Sequence, residues 1–127
     1  MAAMVVNAGK AILAAACKYT ATTQLEPKYC DWGTSATAEA ITQTGLVAVA
    51  TEARTSGTSS LVTTTVTNDT YQVVALITCA GAGKTIQEVG LFDAATVGNM
   101  LCRAVHGAQT LAVGDAIEYT IGVQMAG

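Results

Sequence analysis

Apolar residues near the start of the chain recur at the spacing of a helix. Four of them fall on one helical face within an alanine-rich stretch without proline: Ile12, Leu13, Ala16 and Cys17. Asn7 stands just before this stretch, and asparagine is a favoured N-cap residue. The pattern therefore predicts a short helix that follows Asn7, with an extended arm as the alternative.

Farther along the chain, short apolar runs alternate with turn signals. The runs that predict strands are 28–32, 46–51, 61–67, 71–79, 86–92, 100–105 and 118–125. The turn signals fall at 55–59, which we read as a flexible tip, and at 68–70, 80–84 and 114–115. The run 71–79 is apolar throughout, so we expect a central strand that is buried on both faces. The run 118–125 alternates strictly, as a half-buried strand does.

Short strands at spacings of about ten residues are typical of a β-sandwich or barrel, and not of a parallel α/β sheet. The 20 threonines agree, because a β-branched side chain suits a pleated surface. The sequence predicts one mainly β domain over residues 1–127, an antiparallel β-sandwich or barrel-like fold. Residues 1–27 are expected to form a helix or arm that packs on this domain or extends from it.

The composition favours a protein that is covered by a partner. Apolar residues make up 51% of the chain and charged residues 12%, against about a quarter in typical soluble domains. A surface with so few charges is often buried in an oligomer or an assembly. A small domain with a threonine- and serine-rich surface is the plainer alternative.

The charge distribution argues against nucleic acid and membrane partners. The net charge is −3, and the six lysines and arginines form no basic stripe. The apolar run 11–17 is far shorter than the roughly 20 residues that span a bilayer. Residues 1–6 carry no positive cluster, so we expect a mature N-terminus and synthesis in the cytoplasm.

The four cysteines, Cys17, Cys30, Cys79 and Cys102, form no CxxC pair, which argues against a structural zinc site. Four free thiols in the core are the default expectation for a cytosolic product. The alternative is one or two disulfides that form after release, within or between subunits. The sequence does not select among the three possible pairings.

Two features suggest chemistry but lack the context that it requires. Residues 81–85 read GAGKT, yet Thr78 occupies the position where a phosphate loop needs its first glycine, so we interpret the segment as a hairpin turn. His106 is the sole histidine, and no serine lies in a nucleophile-elbow pattern. We expect a solvated or interface histidine, no catalytic residue, no metal and no cofactor.

The stretch 85–104 is strongly patterned and reads as two strands joined by a turn. Glu88 lies within its apolar run, where we expect a cross-strand ion pair with Arg103 or a contact between subunits. Tyr29 and Trp32 form either core anchors or a ligand platform. These four residues are the candidate interface or structural positions.

Several segments, taken in order, resemble those of small virion proteins of tailed bacteriophages. They are NAGKAILA, KYCDWGTSAT, LVAVATEAR, VTTTVTNDTYQV, TIQEVGLFDAATVGNMLCRA and LAVGDAIEYTIGVQ. The resemblance covers nearly the whole chain and rests on short motifs of common residues. Cys30 and Asp31 replace a more usual apolar pair, and Ser35 stands where glycine is common.

The resemblance implies a structural part of the virion. The first hypothesis is a capsid decoration (cement) protein, a homotrimer on the outer capsid surface that bridges major capsid subunits. The short chain favours it, because fibres normally continue into shaft repeats. The second hypothesis is a tail, collar or fibre-attachment protein. The third, from another class, is a small hydrolytic or ligand-binding β-barrel.

Overall fold

The described part of the chain forms a two-layer β-sandwich with one short helix. The computed structural model describes residues 3–18 and 25–125. Its elements are β1 (Met4–Val5), α1 (Asn7–Cys17), β2 (Tyr29–Gly33), β3 (Thr55–Ser56), β4 (Thr58–Val62), β5 (Thr70–Thr78), β6 (Lys84–Phe92), β7 (Met100–Leu111) and β8 (Ala116–Gln124). The larger sheet has the order β1-β7-β6-β2-β3 and the smaller sheet β4-β5-β8, and the pairings are antiparallel. The predicted fold class is confirmed. The predicted arm 1–27 falls partly outside the described residues.

The helix is shifted and rotated relative to the prediction. Val6, in extended conformation, occupies the N-cap, and no side chain caps the helix. Asn7 is therefore the first helical residue and not the cap, and its N–H donates to the carbonyl of Ile41. Gly9 and Ile12 are buried. The helix approaches β7 so closely at Gly9 that a Cβ there would lie 2.0 Å from the carbonyl oxygen of Leu101. Of the other predicted face positions, Leu13 is half-buried against the core, whereas Ala16 and Cys17 are exposed.

The larger sheet is buried on both faces around its central strand, β6. Leu91 and Phe92 follow each other on β6, so they face opposite sides of the sheet, and both are buried. Leu91 belongs to the main core between the sheets, whereas Phe92 packs with Val6 and Met100 in a second cluster. The hairpin predicted over residues 85–104 is confirmed as β6 and β7.

The strand expected to be buried on both faces, β5, is buried on one. Val73, Ala75 and Ile77 point into the core, but Leu76 between them is 54% exposed. The prediction for residues 71–79 was wrong because apolar content does not show whether anything covers the outer face of a sheet. That face is covered in the larger sheet and open in the smaller one.

Three segments of the chain differ from their predicted structure. Residues 55–59, expected to be a flexible tip, contribute to β3 and β4. Residues 46–51 form no strand beyond a single bridge between Val49 and Gly33. Residues 79–83 connect the smaller sheet to the larger one, so the GAGKT segment is not a hairpin turn, although a strand does follow it as expected.

The strand predicted over residues 61–67 ends at Val62 because Asp69 closes a turn. The Asp69 carboxylate accepts the N–H groups of Thr64, Thr65 and Val66 at 2.8–3.0 Å. These hydrogen bonds hold the pKa of the Asp69 carboxyl well below its usual range. A threonine-rich stretch that favours strand structure is thus held in a turn, which begins several residues before the turn signal predicted at 68–70.

Candidate functional site

A group of buried polar atoms lies on the outer face of the larger sheet. Glu88 on β6 and Arg103 on β7 are both fully buried. Arg103 donates to Glu88 Oε2 from Nε at 3.1 Å and from Nη2 at 2.5 Å. Glu88 is opposite Val105 and Arg103 is opposite Gly90, so the two residues are diagonal neighbours. The predicted ion pair is confirmed, and its burial leaves no exposed surface on either residue.

The ion pair fixes the connector, which we define as residues 34–54 between β2 and β3. The Glu88 carboxylate accepts the N–H groups of Ala48 at 2.9 Å and Val47 at 3.3 Å. Arg103 Nη1 donates to the carbonyl of Thr37 at 2.9 Å and to Gln43 Oε1 at 3.2 Å. Both charged groups are therefore used to hold the protein's own backbone against the sheet.

A close backbone approach makes this packing possible at the end of β2. A Cβ on Gly33 would lie 2.3 Å from Glu88 Oε1 and 2.4 Å from the carbonyl oxygen of Ala48. A side chain at position 33 would therefore displace both the carboxylate and the connector. Gly33 directly follows the predicted strand 28–32, and its packing role depends on Glu88, 55 positions away along the chain.

A further carboxylate, that of Glu52 in the connector, is partly buried. Glu52 accepts from Trp32 Nε1 at 2.9 Å and from the N–H of Ala80 at 2.9 Å, and it pairs with Lys84. Burial by itself raises the pKa of the Glu52 carboxyl, but the bonds from Ala80, Lys84 and Trp32 together lower it to about 2. Trp32 is fully buried, which favours the core-anchor reading over the ligand platform. Tyr29 is half-buried.

Arg54 holds the β6–β7 loop, residues 93–99, against the larger sheet. Its Cζ lies 3.7 Å from the centroid of the Phe92 ring, and Nη1 donates to the carbonyls of Ala94 at 2.9 Å and Val97 at 2.5 Å. Arg54 Nε lies 3.6 Å from Asp31 Oδ2. Burial raises the pKa of the Asp31 carboxyl, and this effect exceeds the lowering by the Trp32 N–H and by Arg54. No local pattern marked Arg54, because its partners come from β2 and from the distant loop.

The single histidine is engaged on both ring nitrogens. His106 Nδ1 lies 2.8 Å from the carbonyl oxygen of Gly107, and Nε2 lies 2.8 Å from the Tyr119 hydroxyl. Because a carbonyl oxygen only accepts, a neutral ring donates from Nδ1 and accepts the Tyr119 proton at Nε2. Burial raises the pKa of Tyr119 above its usual range. This geometry fixes the ring against β8.

All four cysteines are unpaired, and they differ in exposure. Cys30, Cys79 and Cys102 are buried as expected, but Cys17 is exposed, so the prediction of four core thiols was wrong for that residue. Cys30 and Cys102 both lie opposite Leu91, one on each side of β6. Two strand spacings put their Cα atoms about 10 Å apart, beyond the reach of a disulfide. Burial raises the pKa of both thiols to about 12.

Within residues 3–18 and 25–125, no group of three or more histidine, cysteine, aspartate or glutamate side chains could hold a metal ion. No helix in that part of the chain is long and apolar enough to cross a membrane.

An apolar groove of about 280 Å³ lies between α1, residues 25–27 and the ends of β5 and β8. Leu25 and Met125, which line it, are 56% and 49% exposed.

These features define a β-sandwich whose buried charges hold its own connector and loops. The family model described as Podophage GP4 fiber I protein gp80 matches residues 3–124, and the chain belongs to this family. The protein is therefore a structural protein of a bacteriophage virion, as the resemblance implied. No curated protein and no solved structure matches the chain.

Proposed function

We propose that the protein is a structural subunit of a podophage fibre or of its attachment to the tail, and that it acts by docking. The observation that carries the proposal is the family match, which spans residues 3–124 and names a fibre protein. It favours our second hypothesis over the capsid decoration protein that we placed first. The argument from short length fails, because a fibre can be assembled from separate chains.

The buried hydrogen bonds of the protein suit a rigid structural subunit. Glu88 and Arg103 attach the connector to the larger sheet, and Arg54 attaches the β6–β7 loop. Fully hydrogen-bonded buried networks rigidify a fold and select one arrangement. A subunit built in this way keeps its surfaces in fixed positions, which is what a virion component requires.

The outer surface supplies apolar area for contacts with other virion proteins. Several large apolar side chains are at least 48% exposed: Leu25, Ile41, Val47, Val49, Leu61, Val66, Leu76, Val97, Val113 and Met125. Only 12% of the residues are charged, so few charged side chains separate these apolar ones. We propose that other copies of the chain and neighbouring virion proteins cover part of this area. The proposed role needs no catalytic residue, cofactor, nucleic acid or membrane.

Locating and counting the protein in the particle tests this proposal. A cryo-electron microscopy reconstruction of the virion should place the sandwich at the tail, and mass spectrometry should find far fewer copies than of the major capsid protein. The control is a particle from a phage in which this gene is deleted, which should lack the same density. Density spread over the capsid shell, at a copy number comparable to that of the capsid protein, would establish the decoration hypothesis instead.

A further inference from the structure

Part of the outer face of the smaller sheet is uncovered within residues 3–18 and 25–125. The odd-numbered residues 73–77 of β5 point into the core, so the even-numbered residues of β5, and those opposite them on β8, point outward. Four neighbouring outward residues are all exposed, and we call them the open face: Leu76, Thr78, Ala116 and Glu118. Leu76 lies opposite Glu118, so the open face places an apolar side chain beside a carboxylate.

Glu118 differs from the other carboxylates because the protein itself does not use it. Of the nine aspartates and glutamates, four form ion pairs and four others accept backbone N–H groups. Among the six cations, four are in those ion pairs, and Lys18 has a contact of its own. Within the described residues, one anion and one cation thus remain without a partner, and they are Glu118 and Lys10.

Lys10 lies on the outer surface of α1, at a position that does not serve the helix. It is the fourth helical residue, near the positive end of the helix dipole, where a cation is disfavoured. The exposed residues beside it on the helix are Ala11, Ala14 and Ala15. Because these side chains are short, another surface can approach the helix closely and bring a carboxylate to Lys10.

We propose that the outer surface of α1 in one copy docks on the open face of a second copy, with Lys10 paired to Glu118 and the alanines packed against Leu76. A helix layered on a sheet is a common way to bury both surfaces. The two surfaces are different, so the contact is heterologous and extends into a ring or a filament of copies. The inference deepens the proposed function, on which it rests for the expectation that copies meet.

Charge complementarity favours α1 over the other surfaces that a second copy offers. Two open faces packed against each other would bring two Glu118 carboxylates together with no cation. The outer surface of the connector exposes Ile41, Val47 and Val49, but no unpaired cation of the described residues lies there. The outer surface of α1 combines short side chains with the unpaired lysine, so it is the surface that matches the open face.

The sizes of the two surfaces are compatible and indicate a weak contact. The 11 residues of α1 extend about 16 Å, and the nine residues of β5 extend about 30 Å. One short helix on a three-stranded sheet buries less than the roughly 1,600 Å² of a standard interface. We therefore expect association at high protein concentration in solution, and stronger binding where many copies repeat the contact.

Reversing the two charges tests the pairing. Lys10→Glu and Glu118→Lys each bring like charges together, and each should raise the dissociation constant by a factor of about 2 to 30. The double variant, which keeps the net charge of −3, should recover the natural value. An equimolar mixture of the two single variants should also recover it, because every contact between unlike copies then joins opposite charges. Lys10→Gln is the neutral control and should fall between the natural protein and Lys10→Glu.

Sedimentation velocity across a concentration series gives these constants, and thermal unfolding of dilute samples shows that each variant is folded. The charge effects should shrink at high salt. A natural protein that stays monomeric up to about 1 mM would overturn the proposal. So would equal constants for all variants, or single variants whose mixture does not recover association.

The apolar part of the contact is tested with a pair of exposed leucines. Leu76→Ser should raise the dissociation constant by a factor of about 5 to 10, because the side chain loses the area that the helix covers. Leu61→Ser is the matched control, since Leu61 is 64% exposed but lies opposite Tyr71, away from the open face. Equal effects of the two substitutions would contradict docking at the open face.

Zero-length cross-linking with a carbodiimide locates the contact in the unmodified protein. In a mixture of ¹⁵N-labelled and unlabelled copies, the Lys10–Glu118 cross-link should join peptides of different label, because it forms between copies. The Lys28–Glu26 pair within one copy is the internal control and should join peptides of equal label. Cross-linked oligomers without a Lys10–Glu118 link would refute the inference. They would leave the proposed function standing, because that is tested by the position of the protein in the virion.

Discussion

Glu88 and Arg103 form a fully buried ion pair that attaches the connector to the larger sheet. The pair links two neighbouring strands to residues 37–48 of a segment that forms almost no regular structure of its own. The two charged side chains therefore hold the connector backbone in place through hydrogen bonds that are shielded from water. Elsewhere in the protein, the hydrogen bonds of the strands and the helix hold the backbone.

Removing either partner of this pair should destabilise the protein strongly. Glu88→Gln or Arg103→Met alone leaves a buried group uncompensated and should reduce the free energy of unfolding by about 3–5 kcal/mol. The double variant should lose clearly less than the sum of the two single losses. Urea unfolding of the four proteins measures the coupling. Additive losses would mean that the two side chains stabilise the fold independently.

The emission of Trp32, the single tryptophan, should report the charge of Glu52. The carboxyl has a pKa of about 2 when folded, below its unfolded value of about 4.3. Its contribution to stability is therefore complete above the unfolded pKa and is lost as the pH falls toward 2. We expect a shift in Trp32 emission near that pH in the natural protein. Glu52→Gln, which keeps one acceptor oxygen for Trp32 but does not titrate, is the control and should lack the shift.

The cysteines should react with a thiol reagent in two classes. Cys17 is exposed and should be modified rapidly in the native protein. Cys30 and Cys102, which have pKa values of about 12, and the buried Cys79 should react once the protein is unfolded. Mass spectrometry of native and urea-treated samples counts the modified residues. A native protein with no reactive thiol, and with masses that change on reduction, would show that disulfides form after all.

Replacing Val97 should stabilise the β6–β7 loop. Val97 has a φ of 56° and is 85% exposed, so a β-branched residue adopts the left-handed conformation without packing in return. Val97→Asn, which suits this conformation, should raise the free energy of unfolding by about 1 kcal/mol. Val97→Ala is the control, because it shortens the side chain without removing the steric conflict. Equal stability of the two variants would mean that the valine is not strained.

The candidate site was predicted in part. Glu88 stood out because a carboxylate in an apolar run requires a partner, and Arg103 was the cation nearest to it on the expected hairpin. The contacts of Glu52 and Arg54 gave no such signal. Their partners, Ala80 and Phe92, come from loops and strands about 30 to 40 positions away, and charged residues between two predicted turns look the same whether exposed or buried.

The sequence by itself determined the β-sandwich class, the β6–β7 hairpin, the absence of strong local motifs for chemistry and the resemblance to phage virion proteins. These properties rest on side-chain alternation and turn residues, which act over a few neighbours. Tertiary structure alone decided which faces are covered and where the connector lies. Those outcomes depend on groups far apart in the chain, such as Gly33 against Glu88, and on the stacking of two sheets, which no local pattern encodes.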